Sequence, residues 1–268
     1  MDNSKLEIYN TTKGKVTLVG FGPGDPDLLT LGGERAISNA DIIFYDDLID
    51  STFLDRYTAE KVYVGKRCHR HSHEQDEINR LMVEAAYEKK NVVRLKGGDP
   101  MIFGHGGEEI EFLRNKGIEV KVIPGISTGT AVAALTQVPL THRGISSSVA
   151  FITGHRPDLS LPNADTLVCY MAGLTIHRIA IQAIAEGRKP ETPVMLVHKV
   201  SHTDQKEYFS TLEDLSVGNE TYPTPIIIVI GDVVNLRNKN EESEEDIFDI
   251  IEKEFSGNLG GTHLNWGI

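Results

Sequence analysis

Four glycine-rich segments of this chain each follow a short apolar run, and segments with helical spacing of apolar residues lie between them. Such alternation of strands and helices predicts a parallel sheet that is covered on both faces. Ligands of these sheets bind at the carboxyl ends of the strands, which is where the glycine-rich segments fall. The sequence therefore predicts an α/β fold whose binding loops lie together at one end of a sheet.

The predicted elements alternate along most of the chain. Strands are predicted from short apolar runs, and helices from apolar residues at helical spacing. The predicted strands are Lys15–Gly20, Asp41–Tyr45, Val62–Val64, Val92–Leu95, Val120–Ile123, Val149–Thr153, Thr166–Met171, Val194–Val197, Glu207–Thr211 and Ile226–Ile230. The predicted helices are Asp27–Asn39, Glu74–Lys89, Gly106–Asn115, Ser127–Leu135, Ile176–Glu186 and Glu244–Phe255.

The segment Pro139–Ser147 has no regular spacing of apolar residues, and it divides the predicted elements into two blocks. We therefore expect two α/β domains. The first, over residues 1–140, carries the glycine-rich loops, and the second spans residues 148–256. Residues 257–268 are rich in glycine and are expected to form a flexible tail.

Composition narrows the class of protein. An apolar content of 40% and a charged content of 25% are typical of soluble globular proteins. Cys68 and Cys169, the two cysteines, imply no disulfide framework and fit a reducing compartment, so we expect a cytoplasmic protein. Neither a signal peptide nor a membrane span is expected. The net charge of -12 argues against nucleic acid as a partner.

The first glycine-rich segment, Gly20–Pro26, resembles a dinucleotide-binding fingerprint but differs from it at one position. The fingerprint requires glycine where Asp25 stands, so that a pyrophosphate can lie on the helix N-terminus. Asp25 is instead placed to cap the following helix, with Pro26 at its first position. A carboxylate there repels phosphate. This argues against a nucleotide diphosphate site, although a capped turn does not explain why Gly22, Pro23 and Gly24 all occur.

The second segment, Val92–Pro100, is an apolar strand that leads into two adjacent glycines. Gly97 and Gly98 would let a ligand approach the backbone closely, with Asp99 as a hydrogen-bond acceptor beside it. Gly-Asp-Pro is also ordinary turn chemistry, so a structural turn is an equal alternative.

The third and fourth segments open helices. In Phe103–Glu109, the acidic residues Glu108 and Glu109 suit the positive end of the helix dipole, which favours a structural role. In Pro124–Gly129, Ser127 and Thr128 offer hydroxyl and N–H groups to a ligand. Simple capping of the helix by Ser127 is the alternative.

The basic segment Val64–His73 would place His69, His71 and His73 on one face if it is extended. That spacing suggests a metal, but the sequence offers no second cluster of ligands, so no metal is expected. A loop that binds a carboxylate-rich substrate is the better functional hypothesis. A merely solvated loop is the alternative.

Taken together, these motifs resemble the uroporphyrinogen-III C-methyltransferases of the tetrapyrrole methylase family over about residues 15–237. The most specific part is Arg94–Pro100 followed by Phe103–Glu109. The resemblance implies two α/β domains with a cleft for S-adenosylmethionine between them, and a homodimer. It also implies methylation of uroporphyrinogen III at carbons 2 and 7, giving precorrin-2 and S-adenosylhomocysteine.

The resemblance also assigns roles to individual residues. Asp46 matches the family's proposed proton acceptor, and Lys66 its proposed proton donor. From their side-chain chemistry, and not from the resemblance, carboxylate partners for the substrate would be Arg67, Arg70, His71 and Arg143. The positions that match cofactor contacts are Pro23, Gly97, Gly98, Asp99, Ile102, Ser127, Thr128, Met171 and Val200.

The sequence departs from the family pattern at several positions and leaves alternatives open. His105 stands where arginine is usual, His69 and Val200 stand where glycine is usual, and Ser127-Thr128-Gly129 replaces a Thr-Ser-Ala or Thr-Ala-Ala pattern. The alternatives are a sister corrinoid methylase, an NAD-binding oxidoreductase and a non-catalytic cofactor-binding module. Whether the product enters sirohaem or cobalamin synthesis is not encoded in these motifs.

Overall fold

The structure is a computed structural model that describes residues 13–65, 75–155, 160–218 and 220–237. The chain divides into two compact units. The first contains the chain up to Val132 together with Val197–Lys206 and Thr224–Ile227. The second contains Ala133–Leu196, Glu207–Pro223 and the chain from Ile228 onwards. The limits predicted for the two domains stay a prediction, and the predicted tail, 257–268, lies outside the described residues.

The first unit is built on a five-stranded sheet with the strand order β3-β2-β4-β1-β5. The pairings of β1 with β4 and β5, and of β2 with β3 and β4, are all parallel, as the alternation of elements predicts. In chain order the elements are β1 (Lys15–Gly22), a 3₁₀ turn (Pro26–Leu28), α1 (Leu31–Ser38), β2 (Ile42–Tyr45), α2 (Ser51–Leu54), β3 (Glu60–Tyr63), α3 (Gln75–Tyr87), β4 (Val92–Gly97), α4 (Gly106–Asn115), β5 (Glu119–Ile123) and α5 (Thr128–Thr136).

Two apolar clusters cover the two faces of this sheet. One contains Leu18 of β1 and Phe44 of β2 with residues of α3 and α4, and the other contains Val19 and Phe21 of β1 with residues of α1 and α2. Successive residues of β1 therefore point into different clusters, as a strand buried on both faces requires. Each large side chain buried in this way contributes about 1.5–3 kcal/mol to folding.

The prediction of one continuous helix over Asp27–Asn39 was wrong. The chain forms the 3₁₀ turn first and begins α1 only at Leu31. The reason is that Thr30 acts as a second cap: its side-chain oxygen accepts a hydrogen bond of 3.1 Å from the backbone N–H of Gly33. The cap predicted at Asp25 is confirmed, because its Oδ1 accepts from the N–H of Asp27 at 2.9 Å.

The second sheet has the strand order β6-β7-β10-β8-β9, and β6 runs parallel to β7. Both β8 and β10 contribute residues to each of the two units. In chain order the elements are β6 (Val149–Thr153), β7 (Thr166–Tyr170), α6 (Ile176–Ala185), β8 (Pro193–His198), β9 (Lys206–Thr211), α7 (Leu212–Val217), β10 (Ile226–Ile230) and a 3₁₀ turn (Asp232–Val234).

The strands of both sheets were predicted to within a few residues, whereas the short helices α2 and α7 were not predicted. The helix predicted over Glu244–Phe255 lies outside the described residues. Within the described part of the chain, none of the helices has both the length and the apolar character needed to cross a membrane.

Candidate functional site

Three of the glycine-rich loops meet at one end of the first sheet. Because β1 lies between β4 and β5, the loops that follow these three strands are neighbours. They contain Gly22–Asp25 after β1, Gly97–Asp99 after β4 and Pro124–Ser127 after β5. This is the place where parallel sheets bind ligands, so the predicted position is confirmed for these three motifs, whereas Phe103–Glu109 lies at the start of α4.

Some of these glycines are required for packing between the loops themselves. The backbone N–H of Gly98 donates to the carbonyl of Gly22 at 2.7 Å, and the N–H of Gly22 donates to the carbonyl of Gly98 at 3.2 Å. A Cβ atom on Gly20 would lie 2.5 Å from the Cα of Gly125 and 2.7 Å from the carbonyl oxygen of Gly98. Gly20 and Gly125 therefore allow one backbone to pack directly on another.

Gly98 differs from these glycines because, although it is buried, an added Cβ would make ordinary contacts instead of a clash. Its φ of +66° belongs to the left-handed region that favours glycine. The nearest described neighbours of an added Cβ would be Oγ1 and N of Thr128, at 3.6 and 3.7 Å, and Cα of Ser127, at 3.9 Å. A side chain at residue 98 would therefore lie against the first residues of α5, and we call the gap that glycine leaves there the cradle.

Asp99 joins two of the loops. Its Oδ1 accepts a hydrogen bond of 2.8 Å from the backbone N–H of Met101, and its Oδ2 accepts one of 3.0 Å from the N–H of Gly125. The carbonyl of Asp99 accepts in turn from the N–H of Ile102 at 3.2 Å. Asp99 therefore fixes the β4 loop against the β5 loop, and its predicted contact with a ligand stays a prediction.

The loop after β8 belongs to the first unit and contacts the loop after β1. The backbone N–H of Asp25 donates to Oγ of Ser201 at 2.9 Å, and the imidazole of His202 packs beside Gly24. Within this loop Lys199 and Ser201 have φ values of 50° and 70°, while Val200 between them is buried. Residues with side chains occupy such conformations where the surrounding structure imposes them, and they concentrate at functional sites.

The same type of backbone conformation occurs at three other positions near predicted site residues. Phe103 and His105 have φ values of 54° and 56° and flank Gly104 at the start of α4. Met171, in the second unit, has a φ of 52° and directly follows β7, where its side chain is partly exposed. The ring of His105 contacts Glu108, with 3.0 Å between Nδ1 and Oε1.

Asp46, the predicted proton acceptor, directly follows β2. Its Oδ1 accepts a hydrogen bond of 3.3 Å from the backbone N–H of Leu48. Its Oδ2 lies 3.4 Å from Nη2 of Arg94. The side chain of Asp46 is 25% exposed, so the carboxylate is held from two sides and is still accessible to a ligand.

Beside Asp46 lies a buried charged cluster of Arg94, Lys96 and Glu109 that sequence analysis missed. The exposed fractions of these residues are 4%, 5% and 0%. Glu109 Oε1 accepts from Lys96 Nζ at 2.7 Å and from Gln75 Nε2 at 3.0 Å, and it lies 3.5 Å from Arg94 Nε. Burial lowers the pKa of Lys96, as does the charge of Arg94, and the neighbouring Glu109 opposes this shift. The signal in the sequence was two cations on a strand that is otherwise apolar.

The predicted site residues fall into three groups. Lys66, Arg67, Arg70 and His71 lie outside the described residues. Arg143 is exposed and, like Met171, belongs to the second unit. The third group belongs to the first unit and contains Pro23, Asp46, Gly97, Gly98, Asp99, Ile102, Ser127, Thr128 and Val200.

Among the described residues there is no group of three or more His, Cys, Asp or Glu side chains that could hold a metal ion.

Comparison with known proteins gives consistent similarities. The model of the Tetrapyrrole (Corrin/Porphyrin) Methylases matches residues 15–216. A siroheme synthase of Vesicomyosocius okutanii is 44% identical over 250 residues, which are 88% of this chain and 54% of that protein. The chain thus spans about half the length of the curated relatives it matches.

Solved structures are similar over most of this chain. Uroporphyrin-III C-methyl transferase from Thermus thermophilus, complexed with S-adenyl homocysteine, is 38% identical with a TM-score of 0.74, covering 83% of this chain and 100% of that one. A cobalt precorrin-4 methyltransferase is 25% identical with a TM-score of 0.70, covering 82% and 95%.

Proposed function

Because this chain belongs to the tetrapyrrole methylase family, we propose that it transfers methyl groups from S-adenosylmethionine to uroporphyrinogen III. The methyl groups go to carbons 2 and 7, which gives precorrin-2. The similarity to the Thermus thermophilus enzyme supports this substrate over that of the cobalt precorrin-4 methyltransferase, because sequence identity is 38% with the first and 25% with the second.

The observation that carries the proposal is the cradle between Gly98 and the start of α5. The residues around it suit an adenosyl cofactor, because Thr128 is only half-buried and contributes a hydroxyl group and a backbone N–H. Fixed hydrogen bonds through Asp99 hold the loops that border this space. A preformed cradle lowers the entropic cost of binding.

When bound, S-adenosylmethionine supplies a methyl group on a positively charged sulfur, which a carbon of the macrocycle can attack. The residues of this chain need not form a covalent bond. They must hold donor and acceptor in line and exclude water from the reacting atoms. We assign the cofactor contacts to Pro23, Gly97, Gly98, Asp99, Ile102, Ser127, Thr128, Met171 and Val200.

A proton must leave the methylated macrocycle, and Asp46 is assigned as its acceptor. A partly exposed carboxylate at a strand end can perform this step as a general base. Lys66 is assigned as the proton donor. The substrate carries several carboxylates, and Arg67, Arg70, His71 and Arg143 are assigned as their partners. Guanidinium groups bind carboxylates through paired hydrogen bonds, and a ring N–H of His71 can donate a single one.

Mass spectrometry of the reaction products tests the proposal. Purified protein, incubated anaerobically with uroporphyrinogen III and S-adenosylmethionine, should give a product with two added methyl groups and two molecules of S-adenosylhomocysteine per molecule of product. Omission of the protein is the control. Methylation of a later corrin precursor, with none of uroporphyrinogen III, would assign the chain to the sister methylases instead.

The active form is proposed to be a homodimer that acts in the cytoplasm. The resemblance to the family supports the dimer. The two cysteines imply no disulfide framework, which is consistent with a reducing compartment. The names of the curated relatives favour sirohaem as the destination of the product. Light scattering coupled to size-exclusion chromatography should give twice the mass of the chain, and the mass of a single chain would refute the dimer.

A further inference from the structure

We propose that Arg94 and Glu109 are positioning residues for Asp46, and that the buried charged cluster exists to hold this carboxylate ready as a proton acceptor. The inference rests on the proposed function, since it assumes that Asp46 accepts a proton. It adds two residues to the machinery, Arg94 and Glu109, neither of which touches the substrate in this account.

The geometry of Arg94 is the first argument. Its Nε faces Oε1 of Glu109 at 3.5 Å, and its Nη1 donates to the carbonyls of Leu95 at 2.9 Å and Phe44 at 3.4 Å. The remaining nitrogen, Nη2, faces Oδ2 of Asp46 at 3.4 Å. The guanidinium group is planar and rigid, so fixing one edge of it fixes the other. The position of Glu109 therefore fixes the guanidinium group of Arg94, and this group in turn fixes the carboxylate of Asp46.

The placement of the cluster on β4 is the second argument. Val92, Arg94 and Lys96 share one face of the strand, because side chains alternate along it. Val92 belongs to the apolar cluster that α3 and α4 cover, and the strand then runs towards the glycine loop. This face thus changes from apolar to charged as it approaches the candidate site, where a purely structural core would stay apolar.

The energetic balance of the cluster is the third argument. Buried ion pairs are often no more stabilising than apolar residues of similar volume, because removing charges from water is costly. Among the described residues, Glu109 Oε2 is a buried oxygen without a hydrogen-bond partner, which adds to that cost. A cluster that lowers the stability of the fold is better explained by its role in orienting the carboxylate of Asp46.

Charge neutrality explains why Lys96 is part of the cluster. Arg94 and Lys96 carry two positive charges, and Glu109 and Asp46 carry two negative ones. Glu109 bonds to Lys96 at 2.7 Å and shares its Oε1 with Arg94, so it neutralises one cation and orients the other. Asp46 is then the partner that remains for Arg94. Removing the charge of Glu109 would leave Asp46 as the sole carboxylate of the four groups.

A double-mutant cycle on turnover tests the inference. Arg94→Gln, and Arg94→Lys as a variant that keeps the buried charge, should each lower kcat about 10- to 100-fold, the scale expected when a reacting group is displaced. KM and the affinity for S-adenosylhomocysteine, measured by calorimetry, should stay within about twofold of wild type. Glu109→Gln should also lower kcat.

In an Asp46→Asn background, measured with a radiolabelled methyl donor, Arg94→Lys should change kcat less than about twofold, since both residues act through one group. Equal losses in the two backgrounds would mean that Arg94 acts only on the fold, and would overturn the inference. Lys90→Gln is the matched control, because Lys90 pairs with Glu88 and Glu60 just before the other end of β4.

A crystal structure of Arg94→Lys separates this inference from the proposed function. If wild-type protein methylates no tetrapyrrole, the proposed function fails. The crystal structure still shows whether Arg94 holds the Asp46 carboxylate in place. The Asp46 carboxylate should leave the position in which it accepts from the N–H of Leu48, or should occupy several rotamers. An Asp46 side chain that keeps its single position without the guanidinium would overturn the inference.

Discussion

Gly98 combines two requirements that no other residue type meets. Its backbone is left-handed, and an added side chain would lie against Ser127 and Thr128. A valine at this position would be strained by about 1–3 kcal/mol and would also fill the cradle. We expect Gly98→Val to abolish binding of S-adenosylhomocysteine in calorimetry while the protein still folds.

Gly107→Val is the matched control for Gly98→Val. An added Cβ at Gly107 would meet no heavy atom within 4 Å, and its backbone is not left-handed. This variant should bind the cofactor product as wild type does. Normal affinity in Gly98→Val would show that the cradle is not the cofactor site.

Asp46 is the residue on which proton transfer depends in this account. Asp46→Asn keeps the shape of the side chain but removes its capacity as a base. Turnover should fall by about 10²- to 10⁴-fold, with little change in cofactor affinity, because general-base catalysis contributes on that scale. Asp47→Asn, one residue further along and exposed, should retain turnover. Unchanged turnover in Asp46→Asn would remove its catalytic role.

Individual residues also show where sequence analysis stops. Gly98 was proposed because it follows an apolar strand in a recognisable motif, whereas Asp46 was proposed from the family resemblance. Glu109 also lies in such a motif, but its place in the first turn of a helix already had a sufficient local explanation, the helix dipole. That Glu109 is fully buried against Arg94 and Lys96 depends on how α4 packs on β4, and no local pattern encodes that packing.

At the scale of elements, the start of α1 makes a separate prediction. Thr30 caps this helix through a side-chain bond to the N–H of Gly33. Thr30→Ala should lower the free energy of unfolding by about 0.5–2 kcal/mol, which is the usual contribution of such a cap. Urea denaturation measures this change. Thr30→Ser retains the hydroxyl group and should be close to wild type, and an equal loss in both variants would refute the capping role.

The elements themselves could be predicted well where their signal is a run or a period of apolar residues. Helix α4 has the predicted bounds, Gly106–Asn115, and so does strand β10, Ile226–Ile230. The break before α1 could not be predicted from periodicity, because the apolar spacing continues through Leu28 and Leu31 while the hydroxyl of Thr30 restarts the helix. Caps decide such boundaries, and their effect depends on which backbone conformation the chain adopts.

At the scale of the whole molecule, the sequence predicts two consecutive α/β blocks, and each compact unit is made of segments that are not contiguous in the chain. Val197–Lys206 and Thr224–Ile227 belong to the first unit, although they lie far along the chain. One contact that accompanies this arrangement is the hydrogen bond from Asp25 N–H to Ser201 Oγ. The order of the predicted elements along the chain does not predict such a long-range contact. The family resemblance, in contrast, pointed to Val200 in this loop as a cofactor contact.

The central claim is that the loops after β1, β4 and β5 hold the methyl donor. A crystal structure of the protein with S-adenosylhomocysteine tests it most directly. The bound molecule should contact the backbone at Gly98 and the first residues of α5, Ser127 and Thr128. A bound molecule elsewhere on the protein, or no binding at saturating concentration, would contradict it.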